Sequence, residues 1–151
     1  MKPISQASEH AIRALTYLAQ RLEAGEGYQL IREMAETIDV PAPFLAKLLK
    51  PLVAQGVLET QRGRGGGVRL ARAPEEVTLH QIVDSQEHLA GQRQCFLGQA
   101  DCSDERACPV HEYWKRAEAD YQEQLAATTL GDLVRFCGER PESGYPQRPG
   151  G

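Results

Sequence analysis

A glycine-rich turn restricts the architecture of this chain more than any other feature. Arg62-Gly63-Arg64-Gly65-Gly66-Gly67 separates two short β-prone runs, Val57-Leu58-Glu59-Thr60-Gln61 and Val68-Arg69-Leu70. Short runs joined by residues that accept positive φ read as a hairpin. Two strands cannot bury a hydrophobic face by themselves, so the hairpin has to lean on the segment that precedes it.

That segment is helical in pattern. Residues 6–23 carry Ala11, Leu15, Leu18 and Leu22 at helical spacing, and Gly25 and Gly27 close the element. A second, short helix is expected over 30–38, with Leu30, Ile31, Met34, Ala35 and Ile38 as its buried stripe and Asp39-Val40-Pro41 as the turn. Pro43 suits the first position of a third helix, where its missing N–H costs nothing. This helix carries Phe44, Leu45, Leu48, Leu49, Leu52 and Val53 and stops at Gly56. Pro51 deletes the bond to the Lys47 carbonyl, which predicts a kink or an early end. Three helices followed by a basic hairpin make a winged helix-turn-helix, a mainly α fold with a β-hairpin wing. The third helix of such a head can enter the DNA major groove, and the wing can set arginines against phosphates or in the minor groove.

Charge supports that reading once its distribution is followed. The chain carries a formal net charge of −4, yet residues 43–72 hold Lys47, Lys50, Arg62, Arg64, Arg69 and Arg72 against Glu59 alone. That stretch is therefore +5 and the remainder −9. A basic face on an acidic body fits phosphate contact. With 41% hydrophobic and 25% charged residues the chain can build a real core. No apolar run approaches the ~20 residues of a membrane span and no signal-peptide pattern opens the chain, so a cytoplasmic protein is expected. No Ser-His-Asp or paired-carboxylate arrangement stands out, and an enzyme is not expected.

Beyond the wing, Thr78-Leu79-His80-Gln81 forms a capping box for a helix over 79–88 that buries Leu79, Ile82 and Val83. Periodicity is then lost over 90–107. A longer helix is expected from Cys108-Pro109, with Val110, Trp114, Ala117, Tyr121 and Leu125 as its apolar stripe. One unpartnered stripe outside a compact head suits a second copy of the chain. Thr129-Leu130-Gly131-Asp132 caps a last helix through Cys137, which packs beside Leu133 and Val134. Proline, glycine and polar residues from Pro141 predict disorder. The expected division is a DNA-binding head at 1–88, a cysteine loop at 89–108, a dimerisation helix with a C-terminal helix at 109–138, and a disordered tail at 139–151.

The loop holds Cys95, Cys102 and Cys108, followed by Pro109-Val110-His111, so three thiols and an imidazole fall within 17 residues. Soft thiolates close in sequence suit an iron–sulfur cluster or zinc, and a thiol–disulfide switch uses the same residues. Spacing alone leaves these three open.

The order of elements, the wing from Val57 to Ala71, the following Pro74-Glu75-Glu76-Val77-Thr78-Leu79 and the cysteine loop together resemble the IscR/NsrR/RirA family. These are dimeric bacterial winged-helix regulators that ligate an iron–sulfur cluster, and the resemblance covers roughly residues 1–136. It implies that Cys95, Cys102 and Cys108 are cluster ligands and that His111, in C-x-x-H spacing, is the fourth. Glu9, reaching across a dimer in the manner of the NsrR branch, is the alternative. Histidine ligation favours [2Fe–2S], carboxylate ligation [4Fe–4S]. It further implies a roughly palindromic DNA operator, with Arg62 at the place of the family's minor-groove arginine. Pro43, Lys47, Lys50 and Arg64 complete the candidate DNA contacts. The third helix departs from IscR at Pro43, Ala46 and Lys47, which implies a different operator. The first cysteine gap is one residue longer than the family's five-and-five pattern. The expected function is transcription regulation that senses redox state, nitric oxide or iron. The alternatives are a cluster-free regulator of the same fold, working by thiol switch or partner protein, and an iron–sulfur carrier.

Overall fold

The computed structural model describes residues 2–89, 91 and 93–147. Helix α1 (Gln6–Glu23) is the axis of the molecule. Ser5 caps it by accepting from the Ser8 N–H, and ten of its 18 residues are buried. Small Ala11, Ala14 and Ala19 let neighbouring backbones approach, while Leu15 and Leu18 fill the space between them. Helices α2 (Ile31–Ile38) and α3 (Ala42–Ala54) pack on α1 and on each other. The hairpin follows: β1 (Leu58–Gln61) pairs antiparallel with β2 (Gly67–Leu70), with Leu58 opposite Leu70. Leu58, Val68 and Leu70 point into the core.

The wing has a third, single-residue strand that the sequence reading lacked. Gln29 bridges Val68, donating to its carbonyl at 2.8 Å and accepting from its N–H at 2.9 Å. Gly67 makes this possible. Its φ is +142°, and a Cβ there would lie 2.2 Å from the Gln29 carbonyl oxygen.

After a single 3-10 turn at Pro74–Glu76, α4 (Leu79–Glu87) starts from the expected capping box, in which Thr78 and Gln81 bond reciprocally. Helix α5 (His111–Ala127) packs along α4, and α6 (Leu130–Glu139) returns to α1 and to the 3-10 turn. The starts of α4 and α6 are stitched together. Leu79 N–H donates to the Thr128 carbonyl and Leu130 N–H to the Val77 carbonyl, both at 2.9 Å. A second capping box, Thr129 with Asp132, holds α6. No helix among the described residues is long and apolar enough to cross a membrane.

Several expectations need correction. Leu30 is 45% exposed rather than buried, because it is the extended N-cap of α2 and lies off the helical stripe. Helix α3 starts at Ala42, which puts Pro43 at the second position, and it runs to Ala54 through Pro51. The proline is close enough to the end that the turn after it is held by Gln55 N–H to the Pro51 carbonyl and Val57 N–H to the Leu52 carbonyl, both at 3.0 Å. Helix α5 starts at His111, not at Cys108-Pro109, with Val110 as an unhelical cap. The tail is not disordered over 139–147. Its composition hid one anchor: Tyr145 stacks edge-on against Phe136 and lies under the Arg13 guanidinium, 5.0 Å from the ring centre. Arg13 also donates to the Pro146 and Gln147 carbonyls at 2.8 and 3.0 Å. Residues 148–151 of the expected tail lie outside the described residues.

Two predictions follow from these contacts. Gly67→Ala forces a Cβ against backbone that has no rotamer to change, so chemical denaturation should register a loss of about 2 kcal/mol or more. An unchanged midpoint would mean that the Gln29 bridge yields freely. Second, the Thr129 N–H hydrogen bond, more than any charge nearby, holds the Asp132 carboxylate below its ordinary range. The stabilisation is therefore present above the unfolded carboxylate pKa near ~4 and is lost as pH falls through the lower folded value. Asp132→Asn should flatten that acid limb in thermal melts taken from pH 7 down to pH 2, with a smaller change at neutral pH.

Candidate cysteine-loop site and basic face

The loop between α4 and α5 folds around its cysteines. Cys95, Cys102 and Cys108 are each half-buried, and none forms a disulfide. Gly98 N–H bonds to the Cys95 carbonyl and His111 N–H to the Cys108 carbonyl, both at 3.0 Å, so tight turns bring both residues back toward α5. The Cys95 sulfur sits in a cup of donors. The backbone N–H of Gln99 is the strongest, with that of Leu97, the Gln99 side chain at 3.6 Å and the Cys108 thiol adding to it. Together they outweigh desolvation and hold the Cys95 thiol below the ordinary cysteine range, as a thiolate ligand requires.

His111 is the first residue of α5 and is only 3% exposed, a buried imidazole rather than one solvated on the helix surface. Its Nδ1 lies 3.6 Å from Cys102 Sγ, and its Nε2 lies 2.9 Å from Asp104 Oδ1. Asp104, on the 3-10 turn Asp104–Arg106, also accepts from Lys115 Nζ at 3.2 Å. The hydrogen bond with His111 is the largest single cause that lowers the Asp104 carboxyl, followed by the hydrogen bond and charge of Lys115. The loop thus brings its four donors together as two neighbouring pairs, Cys95 with Cys108 and Cys102 with His111. Among the described residues, the set of three or more candidate ligands within 4.8 Å of one another is Asp104, His111 and Glu112, and no set of three cysteines is that close. Separate pairs fit a group with two metal centres better than a single ion held by all four residues.

Two orphaned atoms point the same way. Arg93 Nε and Ser103 Oγ are buried without a hydrogen-bond partner among the described residues. The Arg93 guanidinium lies against Cys102, whose sulfur pushes its pKa up. Buried donors without acceptors beside a cysteine sulfur suit an anionic, sulfide-bearing occupant. The residues present therefore fit an iron–sulfur cluster. Glu9 is occupied otherwise in this chain: it sits on α1, paired with Lys2 at 2.9 Å and Arg13 at 3.5 Å.

The basic face lies on α3 and the wing. Pro43, Phe44, Lys47 and Lys50 are exposed on α3, and Arg62 and Arg64 at the wing turn. Arg69 is committed elsewhere. It bonds Glu59 at 2.5 Å and stacks on Tyr28, 4.3 Å from the ring centre. Arg72 donates to the Gln55 carbonyl at 3.3 Å. The free charge of the face therefore concentrates on Lys47, Lys50, Arg62 and Arg64. Sequence reasoning missed Asp104, Arg93 and Gln29, because each acts across a loop where no periodicity marks a partner. The run Ser103-Asp104-Glu105-Arg106 before Cys108 was the one local signal for a carboxylate near the ligands.

Comparison with known proteins gives the family and the fold. The Rrf2 family model, described as an iron-dependent transcriptional regulator, matches residues 4–135. Protein aau3 of Rhizobium meliloti is 35% identical over 133 residues, spanning 87% of this chain and 84% of that protein. The transcriptional regulator NsrR of Bacillus subtilis is 30% identical, spanning 87% of this chain and 90% of its own. The solved structure of CymR, the global cysteine regulator of B. subtilis, superposes with a TM-score of 0.73 at 25% identity, over 90% of this chain and 98% of that one. IscR of T. potens shares the fold with a TM-score of 0.75 at 23% identity, over 99% and 94%. This chain belongs to the Rrf2 family of winged-helix, DNA-binding transcriptional regulators, and it is not an enzyme.

Proposed function

We propose that this regulator reads DNA through α3 and the wing and tunes that binding through an iron–sulfur cluster held by Cys95, Cys102, Cys108 and His111. The observation that carries the proposal is His111: a buried imidazole, at the root of α5, with a ring nitrogen beside Cys102. Two donor pairs favour [2Fe–2S]. When bound, such a cluster supplies chemistry that responds to iron supply, oxidants or nitric oxide.

The chain's own residues give the loop a route to the DNA face. Helix α5 lies on α4, and α4 touches both α1 and α3. Gln86 at the end of α4 donates from Nε2 to the Leu48 carbonyl of α3 at 2.9 Å. Glu87 accepts from Ser8 Oγ of α1 and, at 3.3 Å, from the Ser5 N–H. A shift of the loop that moves α5 is thereby felt by the helix that faces the major groove. A coupling of ~1–3 kcal/mol suffices to switch operator occupancy.

The unit is proposed as a homodimer on a roughly palindromic operator. An open groove of about 630 Å³ runs beside α5, with Tyr113, Trp114, Ala117, Tyr121 and Leu89 among its walls. Tyr113 is 62% exposed there, an aromatic surface suited to a second α5. Two heads about one helical turn apart then match two half-sites.

A thiol switch is the second reading, favoured by the Cys108 thiol that lies against Cys95. It places the sensing pair in the same loop and leaves the route to α3 unchanged.

Anaerobic purification with iron and sulfide analysis separates the two. Wild type should carry both elements and Cys102→Ala should lose them; a colourless wild type from a cluster-competent host would leave the thiol switch. On the DNA side, Arg62→Ala and Arg64→Ala should each weaken duplex binding and reduce the slope of log affinity against log salt by about 1. Equal operator affinity of cluster-loaded, cluster-free and Cys102→Ala protein would overturn the sensing role while leaving the wing contacts in place.

A further inference from the structure

We infer that Asp104 is the positioning residue of the sensor: it fixes the tautomer and orientation of His111, so that Nδ1 faces Cys102 with its lone pair free. The inference rests on the reading of His111 as a ligand. It is carried by the contrast in burial across one hydrogen bond. The His111 side chain is 2% exposed, whereas that of Asp104 is 70% exposed, so a surface carboxylate reaches inward to meet a buried ring. An ionised carboxylate only accepts hydrogen bonds, so the 2.9 Å contact places a proton on Nε2. In a neutral ring the other nitrogen is then an acceptor. That nitrogen is Nδ1, which lies 3.6 Å from Cys102 Sγ and so faces the thiol it would share a metal with.

The arrangement is specific in two further respects. Lys115, one turn along α5 from His111, bonds both Asp104 oxygens at 3.2 and 3.4 Å and anchors the carboxylate on the helix that carries the imidazole. Asp104 is the acceptor that the buried Nε2–H meets, so removing it takes away the bond that holds the ring in this orientation. Asp104 contributes little packing because it is mostly exposed, so its replacement tests orientation rather than folding. Carboxylates behind ligating histidines act in this way in metal sites generally.

Two measurements on the full chain decide the matter, and the first needs no cluster. In metal-free protein with nitrogen-15 histidine, long-range proton–nitrogen correlation should show His111 with a slowly exchanging proton on Nε2 and none on Nδ1. Asp104→Ala should lose that protected proton, and Asp104→Asn, which retains an acceptor oxygen, should restore it in part. A protected Nε2 proton that persists in Asp104→Ala, or a wild-type proton on Nδ1, overturns the inference. The second measurement follows iron release to a chelator after anaerobic loading. Asp104→Ala should release iron about 10–100-fold faster, with a shifted visible spectrum, while Asp104→Asn falls between it and wild type. Identical release and spectra in wild type and Asp104→Ala also overturn it. A wild type that takes up neither iron nor sulfide defeats the cluster reading itself, and the tautomer measurement then decides alone whether Asp104 orients His111.

Discussion

Everything in this molecule is built on the burial of α1. A helix with buried residues on most of its circumference, from Ser8 to Ala19, cannot present a solvated face and has to be enclosed. Helices α2, α3, α4 and α6 and strand β2 supply the enclosure, and they come from almost the full length of the chain. The DNA-reading head and the segments flanking the cysteine loop therefore share one core instead of forming separate domains. In a close-packed interior, displacements pass between neighbours because voids to absorb them are few. The proposed coupling of loop to reading head therefore needs no hinge; α4, which packs on α1, α3 and α5, connects them.

The wing shows how the same economy sets charge. Arg69 is held by Glu59 and Tyr28, so its charge is paired within the head. The bridge from Gln29 to Val68 ties the hairpin to the connection between α1 and α2, which fixes its angle to α3. With its base immobilised, the turn carries Arg62 and Arg64 outward as exposed cations. Contacts made by a preset arm lose less entropy on binding than those of a loose loop.

Local physics made much of this legible in the sequence. The capping boxes at Thr78 and Thr129 and the glycine stops of α1 and α3 involve residues within a few positions of one another, and so do the stripes of α1 and α4. The structure places them where the sequence pattern put them. What escaped depends on distant partners. Pro51 reads as a breaker until the bonds that close the turn after it are seen, and residues 141–147 read as tail until Arg13, 133 residues before Pro146, is found to hold them. The ligand candidates could be named from residue type and resemblance. The way the loop brings them together as two pairs could not, since the turns at Cys95–Gly98 and Ser103–Arg106 follow no period.

His111 occupies the decisive position because it belongs to two structures at once. As the first residue of α5 it stands where helix N–H groups lack intrahelical acceptors and the helix dipole favours negative charge. As the neighbour of Cys102 and Asp104 it is bound into the loop. In the proposed function, an anionic cluster held at this place would be stabilised by the dipole of α5, an attraction confined to the first turn. A change in the loop is thus applied to α5 at its root, where α4 lies alongside. In the proposed route from His111 to the Gln86–Leu48 hydrogen bond, the links are the packing of α5 on α4 and of α4 on α3.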